Sequence, residues 1–153
     1  MGDSEIEKLL YKYNRIYKEN NDLYRGVAKT LGVSDSVFWI LYSLRERSGG
    51  ATQSEICNML YEPKQTVNSA LKKMEAEGYI TMASHPDRRR KLLVLTQKGE
   101  ELAEKTADKV LALECSALRE MSEADRQAFL RLFQTYTEIL KEKISSITSP
   151  SPP

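Results

Sequence analysis

Residues 63–99 read PKQTVNSALKKMEAEGYITMASHPDRRRKLLVLTQKG, a stretch that divides into one helix, a short strand, a basic turn and a second strand. Pro63 suits a first helical position, where its missing N–H would be unpaired anyway, and Gly78 suits the left-handed position just past a helix end. Val67, Ala70, Leu71 and Met74 recur at the i, i+3, i+4, i+7 spacing of a helix face that packs on a core. Gln65, Ser69 and Lys72 fall opposite, with Asn68 and Lys73 beside them. Such an outer face joins amides and a hydroxyl, which can read base edges, to ammonium groups that can neutralise phosphates.

After Gly78, residues 79–84 have strand character and residues 92–95 form the short apolar run of a covered strand. Between them lies His85-Pro86-Asp87-Arg88-Arg89-Arg90-Lys91. Pro and Asp supply turn chemistry, and consecutive cations at a hairpin tip repel one another unless a polyanion lies nearby. Helix followed by basic hairpin is the winged-helix arrangement, in which the helix enters the major groove and a wing cation reaches the minor groove.

Working outward, residues 52–60 (TQSEICNML) open with a Thr52-x-x-Glu55 capping box and turn Ile56, Met59 and Leu60 inward. This short helix, ended at Tyr61-Glu62, and the one from Pro63 make a helix-turn-helix. Cys57 reads as a small buried hydrophobe within it rather than a redox group. Residues 34–47 hold VFWILYSL behind Ser34, Asp35 and Ser36, any of which could cap a helix. The run alone also suits a buried strand, but the capping residues and Gly49-Gly50 favour the helix. Ala51-Thr52 could pair as a minimal strand beside the wing. From 5 to 31, Ile6, Leu9, Leu10, Tyr13, Ile16, Tyr17, Leu23, Tyr24, Val27 and Leu31 predict one long amphipathic helix ended by Gly32. Beyond Gly99 a second helix carries Leu102 to Met121, and Ser122-x-x-Asp125 opens a last one with Phe129, Phe133, Tyr136, Leu140 and Ile144. The Pro/Ser-rich tail, 148–153, is expected to be disordered.

The expected architecture is therefore mainly α with a small β-wing: a winged helix-turn-helix at 34–99 and a helical region at 1–33 and 100–147. Three amphipathic helices outside the reading unit need a partner for their apolar faces, and a second copy is the simplest one.

Composition narrows the function. The chain has 153 residues, 41% hydrophobic, which suffices for one domain with a proper core. Net charge is only +1, yet residues 63–91 hold seven Lys/Arg against three acids. A basic patch on a slightly acidic body is an electrostatic footprint of DNA binding. The polar start of the chain has no signal-peptide pattern and no run is apolar enough to span a membrane, so a cytoplasmic location is expected, with Cys57 and Cys115 as free thiols. His85 is the one histidine, which excludes a multi-histidine metal site and suits a wing-turn residue. No metal-ligand cluster, Gly-rich phosphate loop or Ser/His/Asp set supports an enzyme, and no cofactor or metal is called for.

TQSEICNMLYEPKQTVNSALKKMEAEGYI followed by PDRRRKLLVLTQKGEEL resembles the MarR (multiple antibiotic resistance regulator) family of bacterial transcription factors. The wing signature Asp87-Arg88-Arg89 with Leu95-Thr96-x-x-Gly99 carries the resemblance, and the helix order fits over nearly the whole chain. It implies a homodimer whose first and last two helices form the dimerisation region and which binds a pseudopalindromic operator in double-stranded DNA. It further implies repression relieved by a small aromatic or lipophilic ligand, or by thiol oxidation. By position, Arg89 looks like the wing arginine of the minor groove and Asp87 like the acid that holds the wing in shape. Gln65, Asn68 and Ser69 look base-facing, while Thr66, Lys72 and Lys73 suit phosphates; Lys64, Arg88 and Arg90 complete the expected DNA-binding set. The family often has Gly at the helix-turn-helix turn, where this chain has Tyr61. The peroxide-sensing branch is similar in its first-helix tyrosines, here Tyr11, Tyr13, Tyr17 and Tyr24, but its reactive cysteine is missing. Tyr13, Tyr17, Trp39 and Tyr42 could line an effector pocket, with core or dimer packing as the alternative. Cys115 is open between packing and an oxidation or metal switch. A protein-interaction module built on the same faces, without operator binding, is the competing function.

Overall fold

The computed structural model describes residues 3–47, 49–60, 62–87 and 89–148. Its elements are α1 (Asp3–Asp22), α2 (Val27–Thr30), α3 (Asp35–Arg45), α4 (Gln53–Met59), α5 (Lys64–Ala76), β1 (Ile80–Ser84), β2 (Lys91–Leu95), α6 (Gln97–Lys105), α7 (Ala107–Glu120) and α8 (Glu123–Thr148). The strands pair antiparallel, Ile80 opposite Leu95 and Ser84 opposite Lys91. Ala51 adds a single bridge to Leu93. The fold is mainly helical with a small wing. Two compact units divide at Leu111 and Ala112, inside α7.

Local chemistry accounts for the elements of the first unit. Ser34 caps α3, its hydroxyl accepting from the Val37 N–H at 3.3 Å, so the VFWILYSL run is helix. Around α4 the capping box closes in both directions. Thr52 Oγ1 accepts from the Glu55 N–H at 3.3 Å, and Glu55 Oε2 accepts from the Thr52 N–H at 2.7 Å. Hydrogen bonds from the Thr52 backbone and hydroxyl, with Arg47 3.0 Å away, hold the Glu55 carboxyl at a pKa of about 2 instead of 4.5. A depressed carboxylate pKa stabilises the fold above the unfolded value, and that contribution is lost as pH falls from 4.5 to about 2. Glu55→Gln is expected to flatten the pH dependence of the urea midpoint over that interval; an unchanged slope would remove the capping box from acid stability.

The core of this unit joins Ile40, Leu41 and Leu44 of α3 to Ile56 of α4, Val67, Leu71 and Met74 of α5, and Ile80 and Leu93 of the sheet. Ala103 and Ala107 belong to the same cluster, so the core reaches beyond Gly99. Ala70, Leu60 and Cys57 are half-buried at its margin, and Met59 is half-buried at the end of α4. Arg45 ties α3 to the following helices, pairing with Glu100 and, at 2.8 Å, with Asp108. Burial works against its charge, but the two carboxylates outweigh that and raise its pKa.

Three expectations are corrected. The single helix over 5–31 is two. Leu23, Tyr24 and Arg25 donate backbone hydrogen bonds three residues back, at 3.2 Å each, and Gly26 then turns left-handed at φ +80°. Asn20, Asn21 and Asp22 are weak helix formers, and glycine alone adopts that φ without strain. The helix expected from Gly99 to Met121 also breaks, at Thr106, whose φ and ψ are −127° and −89°. Its buried hydroxyl donates to the Leu102 carbonyl at 2.7 Å, back-bonding of the kind that bends helices. Pro63 is the cap of α5 and not its first residue: its ψ of 134° is extended, and its carbonyl accepts from Thr66 and Val67. Gly78 does stand left-handed past the helix end, at φ +78°.

In the second unit α8 is opened by Ser122, whose hydroxyl accepts from the Asp125 N–H at 3.1 Å. Arg126 donates to the Met121 carbonyl at 2.7 Å, fixing the turn before it. No residue of α8 is buried. Thr148, expected in the disordered tail, is instead the last residue of α8, while 149–153 and Tyr61 lie outside the described residues.

Candidate nucleic-acid interface

The face of α5 turned from the core exposes Lys64, Gln65, Thr66, Ser69, Lys72 and Lys73. Burial of Val67, Leu71 and Met74 on the opposite side fixes that orientation. The Ser69 hydroxyl donates to the Gln65 carbonyl at 2.9 Å, which leaves its lone pairs to accept. Lys73 stands 3.9 Å from Glu77, a contact too exposed to immobilise it.

At the wing tip the turn is built by Asp87. Its Oδ1 accepts from the Arg89 N–H at 3.1 Å, its carbonyl from the Arg90 N–H at 2.9 Å, and its own N–H donates to His85 Nδ1 at 2.9 Å. This is the side-chain-to-backbone turn that Asp favours. The Arg89 guanidinium lies 3.7 Å from that carboxylate and is 95% exposed, a cation held out on a short arm.

The Leu95-Thr96-x-x-Gly99 pattern acquires a mechanical meaning. Thr96 caps α6, accepting from the Gly99 N–H at 3.1 Å, and its hydroxyl donates to the Gly78 carbonyl at the end of α5. Thr96 N–H also bonds the Tyr79 carbonyl at 3.0 Å. Lys98 reaches the Glu77 carbonyl at 2.7 Å while lying over the Tyr79 ring. The wing base and the end of α5 are thereby joined to the first turn of α6.

The MarR family model matches residues 31–91, the span that holds the helix-turn-helix and the wing up to Lys91. An HTH-type transcriptional regulator of Bacillus subtilis, YwoH, is 33% identical over 107 residues, 70% of this chain and 77% of that protein. The chain belongs to the MarR family. It is a DNA-binding transcription regulator, and α4 and α5 lie within the matched span. The fold agrees: a crystal structure of a MarR family transcription regulator superposes with a TM-score of 0.69 at 18% identity, covering 93% of this chain and 96% of the other. Bordetella bronchiseptica BpsR, described with regulation of its DNA binding by 6-hydroxynicotinic acid, superposes at 0.58 and 19% identity, with 85% and 98% covered.

Against the MarR pattern, the expected DNA-facing residues separate into groups. Gln65, Thr66, Ser69, Lys72 and Lys73 share the open face of α5 with Lys64, and Arg89 and Arg90 are exposed on the wing. Arg88 lies outside the described residues. Asn68 differs: it is half-buried, and its Oδ1 accepts from Gln53 Nε2 at 2.7 Å and from Cys57 Sγ at 3.4 Å. It belongs to the joint between α4 and α5. Gln53, exposed at the start of α4, escaped the sequence reading. The signal was present, because Thr52 as N-cap makes Gln53 the first helical residue, beside the partner helix.

Tyr13 and Tyr17 stack with ring centroids 6.1 Å apart on α1, and Trp39 touches Tyr24 at 5.6 Å and Tyr42 at 5.4 Å. Two cavities lie elsewhere in the first unit. One of about 270 Å³ is lined by Leu44, Arg45, Arg47, Val94 and Glu100; the other, about 210 Å³, by Ser34, Val37, Lys73, Glu77 and Tyr79. Cys115 is an exposed free thiol on α7. Among the described residues no group of His, Cys, Asp and Glu could hold a metal ion, and no helix is long and apolar enough to cross a membrane.

Proposed function

We propose that two copies of this chain bind a pseudopalindromic operator in the cytoplasm as a repressor, and that a small aromatic or lipophilic effector releases them. Operator reading is assigned to Gln65, Ser69 and Asn68 of α5, phosphate contact to Lys64, Thr66, Lys72 and Lys73, and minor-groove insertion to Arg89 with Arg88 and Arg90 beside it. The observation that carries this is the pairing of an exposed polar face on α5 with an outstretched Arg89 held by Asp87. Related by a two-fold axis, the two reading helices would address half-sites about 10 bp apart.

Two-fold pairing is supported by apolar side chains that the single chain leaves open: Leu9 and Ile16 of α1 are 55% and 53% exposed, Phe129 and Leu130 of α8 52% and 58%. Faces of that kind on a soluble protein mark an interface. The effector class is supported by 6-hydroxynicotinic acid acting on DNA binding in BpsR and by the aromatic side chains Tyr13, Tyr17, Trp39 and Tyr42, whose ring edges suit a flat acid.

Arg89→Ala removes one cation from each protomer. Counterion release then predicts that the slope of log affinity against log salt falls by about 2 for the dimer, with roughly tenfold to hundredfold weaker operator binding. Gel-shift titrations over a salt series read both quantities, and an unaltered slope would take the wing off the DNA. Aromatic acids that raise the melting temperature and abolish the shifted band would identify the effector.

A further inference from the structure

Asn68, assigned above to operator reading, is half-buried on α5 and its amide is not free. Its Oδ1 has two lone pairs and two donors: Gln53 Nε2 at 2.7 Å and the Cys57 thiol at 3.4 Å. Among the described residues nothing takes the Nδ2 hydrogens of Asn68. Asparagine pairs with adenine in a bidentate fashion, its oxygen accepting from N6 and its nitrogen donating to N7. Here the accepting half is consumed within the protein. A side chain that can only donate matches a base edge that only accepts, and guanine, with N7 and O6, presents that edge in the major groove.

We propose, resting on operator binding by this chain, that Asn68 reads guanine through Nδ2 and that Gln53 is the positioning residue that sets this preference. Gln53 does so from a different helix by occupying the Asn68 oxygen. It sits at the exposed first turn of α4, where its own Oε1 is left to accept from solvent or to orient a neighbouring donor. Base choice at one position of each half-site is thus written in two side chains, one of which need not touch the base.

The test is competition binding of the full-length protein to operator duplexes carrying every single base-pair substitution. Asn68→Ala is expected to erase the preference at one base pair per half-site, a loss of roughly tenfold in discrimination. Gln53→Ala frees the oxygen and should move that same pair from guanine toward adenine by a similar factor, leaving other positions and the salt slope unaltered. Gln53→Glu provides a second variant: a carboxylate only accepts, so the Asn68 amide turns over to donate to it and the oxygen faces the groove, with the same move toward adenine. An even loss of affinity across all base pairs in both Gln53 variants, or an Asn68→Ala profile identical to wild type, overturns the assignment while operator binding stands. Wild-type protein with no preference among duplexes would overturn operator binding and this assignment together.

Discussion

Gly99→Ala is expected to destabilise the protein by about 3 kcal/mol or more, although alanine is the better helix former by about 1 kcal/mol. Gly99 lies in the first turn of α6, and a Cβ there would stand 1.9 Å from the Tyr79 carbonyl oxygen and 3.1 Å from Leu95 Cδ2. The carbonyl cannot swing aside, because it already accepts from the Thr96 N–H at 3.0 Å. Relief requires lifting α6 from the sheet, which would uncover Ala103 and break the Thr96 link to Gly78. Steric cost therefore exceeds the helix-propensity gain and fixes the sign. Urea unfolding monitored by circular dichroism measures the effect; a variant as stable as wild type would show that α6 can shift at little cost.

If two copies pair as proposed, Phe133→Glu should leave the protein monomeric and lower operator affinity by at least about two orders of magnitude. Phe129, Phe133, Tyr136, Leu140 and Ile144 follow one another along α8 at spacings of three and four residues, and each is between 37% and 52% exposed. Helical spacing places them on one stripe. The helix is about 39 Å long at 1.5 Å per residue, and none of its residues is buried. Phe129 and Phe133 stack in parallel, their centroids 6.2 Å apart, forming a flat apolar platform. A carboxylate buried in a two-fold interface is taken out of water twice over without a partner, and an uncompensated buried charge costs several kcal/mol. Loss of pairing leaves one reading head per molecule, which engages a single half-site. Phe133 is no part of the buried core, so the substitution gives up its stack with Phe129 but leaves that core intact. Sedimentation equilibrium and gel shifts distinguish the outcomes; a dimer with unchanged operator affinity would place the interface elsewhere.

Residues whose partners are near in sequence were legible before any coordinates. Thr52 and Glu55 close their box as the spacing requires, Val67, Leu71 and Met74 face inward, and the basic turn joins two paired strands. The interruptions at Gly26 and Thr106 were not, because apolar periodicity continues across each and hides the backbone change. Asn20-Asn21-Asp22 ahead of Gly26 is the signal that the periodicity outweighed. Asn68 illustrates a different limit. Its place on the helix surface follows from spacing alone, but its hydrogen-bond partners are 15 and 11 residues away on another helix, and only the packing angle of α4 against α5 brings them within reach. Gly99 is similar: its role is set by a carbonyl 20 residues earlier, invisible to any local pattern.

Thr96 holds the Gly78 carbonyl with its hydroxyl and the Tyr79 carbonyl with its N–H, while its oxygen receives Gly99. One residue thus joins the trailing end of α5 and the wing base to the leading end of α6. Neither end can tilt alone without straining the bonds that run through this one residue.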